Sequence, residues 1–250
     1  MSKRCWDTFL FCDELDLLEA RLIELDDAVY RHVLVESPQT HQGDPKPLHF
    51  AENRERFAPW ADKIIHVAAD LPEGTPKERE NAQREAAWQG LEAYRDGDVL
   101  IHGDVDEIPR ADVVQDMENR VCAMRLHLLA VNLLDPGWWP GMTGAASRVR
   151  LNSMRDGRFA VPRKDVIYDG GWHFSWLGGP AAVKQKVHSF MHPEYIPWVD
   201  EHAEQMWRDR LNPRREEGAR RLLVVEIDDS FPKYMRERRG PEAWYWHAAG

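Results

Sequence analysis

Val99-Leu100-Ile101-His102-Gly103-Asp104-Val105-Asp106-Glu107-Ile108-Pro109 is the stretch that sets the reading of this chain. Val99, Leu100 and Ile101 form the core of a buried strand, which passes without a break into an acidic turn closed by Pro109. In an open α/β sheet, ligands bind beyond the carboxyl ends of the strands. Two carboxylates at i and i+2 in that position, Asp104 and Asp106, are suited to share a divalent cation, and hard oxygen donors favour Mg²⁺ or Mn²⁺. Such an ion bridges the diphosphate of a nucleotide donor and stabilises the leaving charge. Acidic turns after strands are common, so the motif draws its meaning from its setting: the strand before it, Glu107 beside it and Pro109 fixing its exit.

Outward from this strand, the chain alternates strand and helix. Thr8 to Cys12 reads as a strand, followed by a helix capped by Asp13 with Leu15, Leu17, Leu18, Leu22 and Leu25 on its apolar side. Ala28 to Val35 and Lys63 to Val67 read as further strands, separated by a polar loop from Gln39 to Leu48 and a helical turn from Asn53 to Phe57. Lys77 to Tyr94 reads as a helix ended by Asp96-Gly97, Arg110 to Asn119 as a short helix, and Val121 to Leu134 as one long strand. A strand from Ser147 to Leu151 and a helix from Ala181 to Phe190 follow, and the charged last fifty residues read as a peripheral helical layer. This order predicts an α/β fold with a mostly parallel central sheet flanked by helices. A single domain over 1–250 is expected, with a nucleotide-binding half to about 110, an acceptor and active-site half over 111–198, and the helical segment over 199–250.

Three further segments carry chemistry. Gly170-Gly171-Trp172-His173-Phe174-Ser175-Trp176-Leu177-Gly178-Gly179 brackets a histidine, a hydroxyl and two indoles between glycine pairs that permit close approach to a ligand. His173 reads either as a metal or phosphate contact or as a histidine held in an aromatic cluster. Arg79, Gln83 and Arg84 lie on the helix before the acidic strand and read either as guanidinium and amide contacts to a diphosphate or uracil, or as an exposed ion-paired face. Glu36 and Ser37 leave an early strand where an α/β mononucleotide site places a polar group on base or ribose.

Composition narrows the partners. The 250 residues carry 33 basic and 43 acidic side chains, a formal charge of −10, which speaks against nonspecific nucleic-acid binding. No run approaches the ~18 apolar residues of a membrane span, and Met1 to Asp7 lacks the layout of a signal peptide. The three cysteines show no zinc or disulfide spacing, so a cytoplasmic protein is expected. Eleven tryptophans are an unusual load, and flat indole faces stack on bases and sugar rings as well as filling cores.

Taken in order, Asp13-Glu14-Leu15-Asp16-Leu17-Leu18-Glu19-Ala20-Arg21-Leu22-Ile23-Glu24-Leu25, Val33-Leu34-Val35-Glu36-Ser37, Lys46-Pro47-Leu48-His49-Phe50, Arg79-Glu80 with Gln83-Arg84, Asp104-Val105-Asp106-Glu107-Ile108-Pro109, Gly171-Trp172-His173-Phe174-Ser175-Trp176 and Phe231-Pro232-Lys233-Tyr234 resemble glycosyltransferase family 17. The resemblance implies a GT-A-type nucleotide-sugar fold and an inverting, metal-dependent transfer from UDP-N-acetylglucosamine or another UDP-sugar to a hydroxyl of a glycan or small acceptor. Asp104, Asp106 and His173 are then expected at the Mn²⁺ or Mg²⁺ ion. Glu36, Ser37, Arg79, Gln83, Arg84, Asp104, Trp172 and His173 are expected on the donor, and Trp138, Trp139 and Trp176 on the acceptor. For the base that deprotonates the acceptor, Asp135 and Asp169 are the candidates, with Glu107 a third beside the metal motif. A nucleotidyltransferase or sugar-nucleotide pyrophosphorylase shares this topology but opens with a glycine-rich loop, and Phe9 to Asp16 contains no glycine. An inactive binding module would have no need to keep both aspartates.

Overall fold

The computed structural model describes residues 3–145, 151, 153, 156, 162–212 and 220–247, and of residue 138 the backbone alone. Strand β1 (Cys5–Leu10) is buried at every position. It lies between two parallel neighbours, β2 (Arg31–Glu36) and β4 (Val99–Asp104), with β3 (Ile64–Ala68) parallel outside β2. Strands covered on both faces are written as continuous apolar runs, which is why Val33-Leu34-Val35 and Val99-Leu100-Ile101 stand out in the sequence. Helix α1 (Leu15–Leu25) connects β1 to β2 and buries Leu17, Leu18, Leu22 and Leu25 together with Arg21. A short α2 (His49–Glu52) lies between β2 and β3, and α3 (Pro76–Ala86) leads from β3 toward β4 behind a Thr75–Glu78 capping box.

Beyond β4 the sheet becomes mixed. β5 (Glu107–Pro109), β6 (Val121–Leu128), β7 (Leu133–Ala145) and β9 (Gly171–Ser175) extend it in the order β3-β2-β1-β4-β7-β6-β9-β5. Two-residue strands, β8 (Val166–Ile167) and β12 (Leu223–Val224), pair with β6 and β7. Among the described residues of this sheet, five pairings are parallel and four antiparallel. Helices α4 (Gly179–Ser189) and α5 (Ile196–Asp209) pack together beside β6 and β7 around Leu128, Leu133, Val183, Val199 and Met206.

Several expected boundaries change. Val121 to Leu134 is two antiparallel strands rather than one, reversed at Leu129 to Asn132 with Leu129 at φ 70°. The turn stays hidden in the sequence because Leu129 and Ala130 are themselves buried, so the apolar pattern runs through the reversal. The helix expected over Lys77 to Tyr94 ends at Ala86 and tightens into a 3₁₀ turn over Ala87–Gly90, where Ala87 and Leu91 join the cluster holding Val33 and Val35. The helix expected from Arg110 is a 3₁₀ segment over Ala111–Asp116.

Helix α1 starts at Leu15 behind Glu14, not behind Asp13, and no side-chain cap bond closes it. The expected strand from Ser147 lies outside the described residues except for Leu151. The last fifty residues are helical chiefly in α5. After it come the ribbon of β10 (Leu211–Asn212) and β11 (Arg220–Arg221), then β12, then the four-residue α6 (Lys233–Arg236). Pro232 and Pro241 each mark the start of a helical turn only a few residues long.

Arg21 ties the helical layer to the carboxyl edge of the sheet. Its guanidinium forks onto Asp7 on β1 at 2.9 and 2.6 Å and donates to the backbone oxygens of Asp104 and Glu107 at 3.2 and 2.6 Å. Both side chains are wholly buried. Burial alone would raise the Asp7 carboxyl, but Arg21 and His32 outweigh it and hold its pKa down to about 2. A buried pair that loses one partner leaves an uncompensated charge, so Arg21→Met is expected to cost about 3–5 kcal/mol in chemical denaturation. The depressed folded pKa puts the Asp7 contribution fully in place above pH ~4. It is lost as pH falls toward about 2. Stability measured against pH is therefore expected to show this acid limb, and Asp7→Asn to flatten it.

Candidate functional site

The carboxyl ends of β1, β2 and β4 open into a cavity of about 480 Å³, a size typical of small-ligand sites. Its floor is Leu10, Phe11 and the Asp104-Val105-Asp106 turn. α3 supplies Lys77, Glu80, Gln83 and Arg84 on one side; β9, the loop after it and α4 supply His173, Trp176 and Lys186 on the other.

The turn is held from three directions. Glu107 Oε2 accepts the Asp104 N–H at 3.1 Å, Leu10 O accepts the Val105 N–H at 3.1 Å, and Asp106 O accepts the Phe174 N–H at 2.9 Å. The antiparallel pairing of β5 with β9 sets Glu107 opposite His173. That register explains why two motifs separated by more than sixty residues meet: His173 Nε2 stands 3.6 Å from Asp106 Oδ1. The Trp139 ring packs on the imidazole with centroids 5.3 Å apart, and His173 Nδ1 is buried with no hydrogen-bond partner.

Arg84 organises the opposite wall. Its Nη2 donates to Asp104 Oδ1 at 2.7 Å and to Glu80 Oε1 at 2.6 Å, and its side chain is 1% exposed. Burial would weaken its charge, but Asp104 and Glu80 raise the guanidinium pKa above its ordinary value. Gln83 donates to Val35 O at 2.9 Å and accepts from His41 Nε2 at 2.8 Å. Burial lowers the His41 pKa, favouring a neutral ring in the cleft. Lys186 pairs with Glu14 inside the cleft; burial opposes its charge, yet Glu14, Asp106 and Asp13 raise its pKa, so it remains an ammonium.

Of the residues singled out in the sequence, the cleft gathers Gln83, Arg84, Asp104, Asp106, Trp139, His173 and Trp176. The others lie elsewhere among the described residues. Glu36 is buried, accepts the Phe50 N–H at 3.0 Å and faces His66 at 3.1 Å, and Ser37 Oγ accepts the Gln39 N–H. Both shape the β2 exit. Arg79 Nη1 donates to His41 O at 2.9 Å from outside the cavity. Trp172 is core, with the Arg110 guanidinium 4.3 Å over its ring. The Trp138 side chain is outside the described residues.

None of the three candidate bases lines the cleft. Asp135 is 1% exposed, bonded to Asn212 and 3.7 Å from Arg220. Asp169 is shared by Arg110 and Arg125. Glu107 is fully buried beneath the acidic turn. The glycine pairs do not approach the cleft either: at Gly171 an added Cβ would meet Ile108 O at 2.3 Å, so the residue serves strand packing.

Sequence reading missed His41, Lys77, Glu80, Glu14, Lys186 and Tyr195, all of which line the cavity. Glu80 and Glu14 stood inside quoted motifs. Lys186 and Tyr195 carry no local signal, since helix packing alone brings them here.

The fold is thus a mixed α/β sheet with an acidic turn and cationic side chains facing one cleft, where such folds place small-ligand sites. Residues 1–201 match the family described as Glycosyltransferase family 17, and the chain belongs to that family. Over 229 aligned residues it is 27% identical to the human and the rat beta-1,4-mannosyl-glycoprotein 4-beta-N-acetylglucosaminyltransferase, and 26% identical to the mouse protein of that name. Each alignment takes in 75% of this chain and 43% of the relative, so the chain spans less than half the length of the curated relatives it matches.

Gly103 tests the support of the acidic turn. A Cβ there would stand 2.7 Å from both Glu107 Oε2 and Met142 Cγ. Gly103→Ala is expected to push Glu107 off the Asp104 N–H and to lower stability by about 1–3 kcal/mol in urea denaturation.

Proposed function

We propose that the chain transfers N-acetylglucosamine from a UDP-sugar to a hydroxyl of a saccharide or other small acceptor, with inversion and with Mn²⁺ or Mg²⁺ at the cleft. The observation that carries this reading is the convergence of Asp104, Asp106 and His173 on the wall of one cavity that also presents Lys186, Lys77 and Arg84. Family membership supports sugar transfer, and the name of the animal relatives supports N-acetylglucosamine as the sugar.

The donor set fits a divalent ion. Carboxylate oxygens and one imidazole suit Mn²⁺ and tolerate Mg²⁺. Among the described residues no three His, Cys, Asp or Glu side chains are grouped to hold a metal ion, so the remaining ligands would come from the diphosphate and water. Asp106 and His173 would hold it, with Asp104, fixed by Arg84, beside them. A bound ion supplies electrostatic stabilisation of the departing diphosphate.

The side chains of the cleft do the rest. Lys186, fixed as a cation, faces the same leaving group, and Arg84 keeps the Asp104 carboxylate in one orientation. Gln83 and His41 present a neutral, hydrogen-bonded wall. Trp139 and Trp176 line the cavity near His173 and exclude water around the reacting sugar. The cleft draws residues from 10 to 195, which supports reading the chain as one catalytic unit rather than as separable halves. No helix among the described residues is long and apolar enough to cross a membrane. The free cysteines Cys5, Cys12 and Cys122 support a reducing, cytoplasmic setting.

The test is UDP release from UDP-N-acetylglucosamine and a panel of other UDP-sugars, with Mn²⁺, with Mg²⁺ and with chelator. The expected result is metal-dependent release that Asp106→Ala lowers by about 100-fold or more, the scale of losing one transition-state electrostatic contact. Release that persists in chelator, or in Asp106→Ala, would overturn the metal assignment.

A further inference from the structure

A second cavity, of about 270 Å³, adjoins the first. Glu14, Asp106, Trp176 and Lys186 line both, so these four side chains form the wall between them. Behind the wall lie Asp13, Asp16, Phe174, Gln185 and Trp244. Indole and phenyl rings opposite carboxylates are the surroundings a sugar ring takes, with its apolar face on the aromatic and its hydroxyls on the acceptor oxygens. Trp176 adds a backbone sign: it sits at φ 58°, a conformation that a bulky side chain rarely adopts, while 2% exposed in the shared wall. Such outliers persist where the surroundings hold them, and they cluster at ligand sites.

The four carboxylates of this cavity differ in what they are bound to. Glu14 is paired with Lys186 through Oε1 and accepts the N–H groups of Cys12 and Asp13 at 3.1 Å through Oε2. Asp16 is held by Arg56 at 2.5 Å and by the Tyr234 hydroxyl at 3.1 Å. Asp106 faces His173. Asp13 has no ion pair among the described residues; the neutral Gln185 amide donates to its Oδ2 at 3.3 Å. It is also released from the capping role its position suggests, because α1 begins behind Glu14. Burial and the neighbouring Glu14 raise its pKa, which moves a carboxylate toward the range where it accepts protons well.

We propose that the second cavity is the acceptor subsite and that Asp13 is the general base of the transfer. This rests on the UDP-sugar reading above. In the step, the acceptor O–H proton passes to an Asp13 oxygen as the acceptor oxygen bonds to the anomeric carbon of the donor sugar. The bond from that carbon to the diphosphate oxygen breaks, and its electron pair leaves on UDP. Asp13 then returns the proton to water. The shared wall places the acceptor on one side of Asp106 and Lys186 and the diphosphate on the other.

The experiment uses the full chain, Mn²⁺ and UDP-N-acetylglucosamine, with p-nitrophenyl glycosides of mannose, glucose and galactose as acceptor probes and water as the acceptor of last resort. Wild type, Asp13→Asn and Ala182→Phe are compared; Ala182 lines the second cavity only. Asp13→Asn is expected to keep the rise in melting temperature given by UDP and to lose at least 100-fold in turnover. Ala182→Phe is expected to keep UDP binding and to raise the KM of whichever glycoside is used about tenfold, or to cut hydrolysis if water alone serves. Turnover of Asp13→Asn within threefold of wild type, with UDP binding intact, overturns the base assignment. Unchanged kinetics in Ala182→Phe overturn the subsite. If wild type itself neither binds UDP nor turns over any UDP-sugar, the parent reading fails instead, and this proposal falls with it.

Discussion

The buried fork of Arg21 on Asp7 is the contact on which the site depends. Asp7 sits on the central strand, Arg21 on the first helix, and the remaining guanidinium N–H groups reach the carbonyl oxygens of the turn that follows β4. One cation thus satisfies a buried carboxylate and several backbone acceptors at once, and the Phe9 ring stacks 4.5 Å beneath it. A turn that carries two carboxylates repels itself unless positive charge stands behind it. Arg21 supplies that charge from the core side through the backbone, and Arg84 supplies it from the cleft side through Asp104. The acidic motif is therefore rigid before any ligand arrives, which is the condition for electrostatic preorganisation.

The same logic runs through the rest of the cleft, where acidic and basic side chains alternate: Lys77 and Arg84 with Glu80, Arg84 with Asp104, Lys186 with Glu14. Each charge is held by a neighbour of opposite sign, so a ligand rich in negative oxygens meets cations already positioned. Lys186 is the exception in kind. It is carried by a helix packed on the mixed half of the sheet, and it reaches the parallel half through its pair with Glu14, beside the Gln185–Asp13 bond from the same helix. That pair helps join the two halves of the fold at the cleft, and it is also part of the wall between the two cavities.

The parallel half was legible because its physics is local. Doubly covered strands have apolar cores, so β2 and β4 announce themselves in Val33-Leu34-Val35 and Val99-Leu100-Ile101, whereas β1, expected over Thr8 to Cys12, lies at Cys5–Leu10 because Asp7 and Thr8 interrupt its apolar run. His173 stood out by its motif and lines the cleft, but its alignment with Asp106 follows from the β5–β9 register, which no local pattern encodes. Arg84 was read as either a ligand contact or an exposed ion pair. It is in fact buried and holds Asp104, a third role that appears only once α3 lies against the strand ends. Asp135 and Asp169 lie off the cleft, against arginines; a carboxylate beside aromatic residues looks the same in sequence whether it faces a ligand or an arginine.

Asp13 shows the converse. An aspartate two residues before an apolar helix reads as a cap, and capping is the commoner use of that residue type at that place. Here no side chain caps the helix: Glu14 takes the loop N–H groups of Cys12 and Asp13 with one oxygen and Lys186 with the other. Asp13 is left at the helix entry, on the lining of the second cavity and bonded to the Gln185 amide. A local rule broken in this way, with no gain to the helix, is the pattern expected where a residue serves a site rather than the fold.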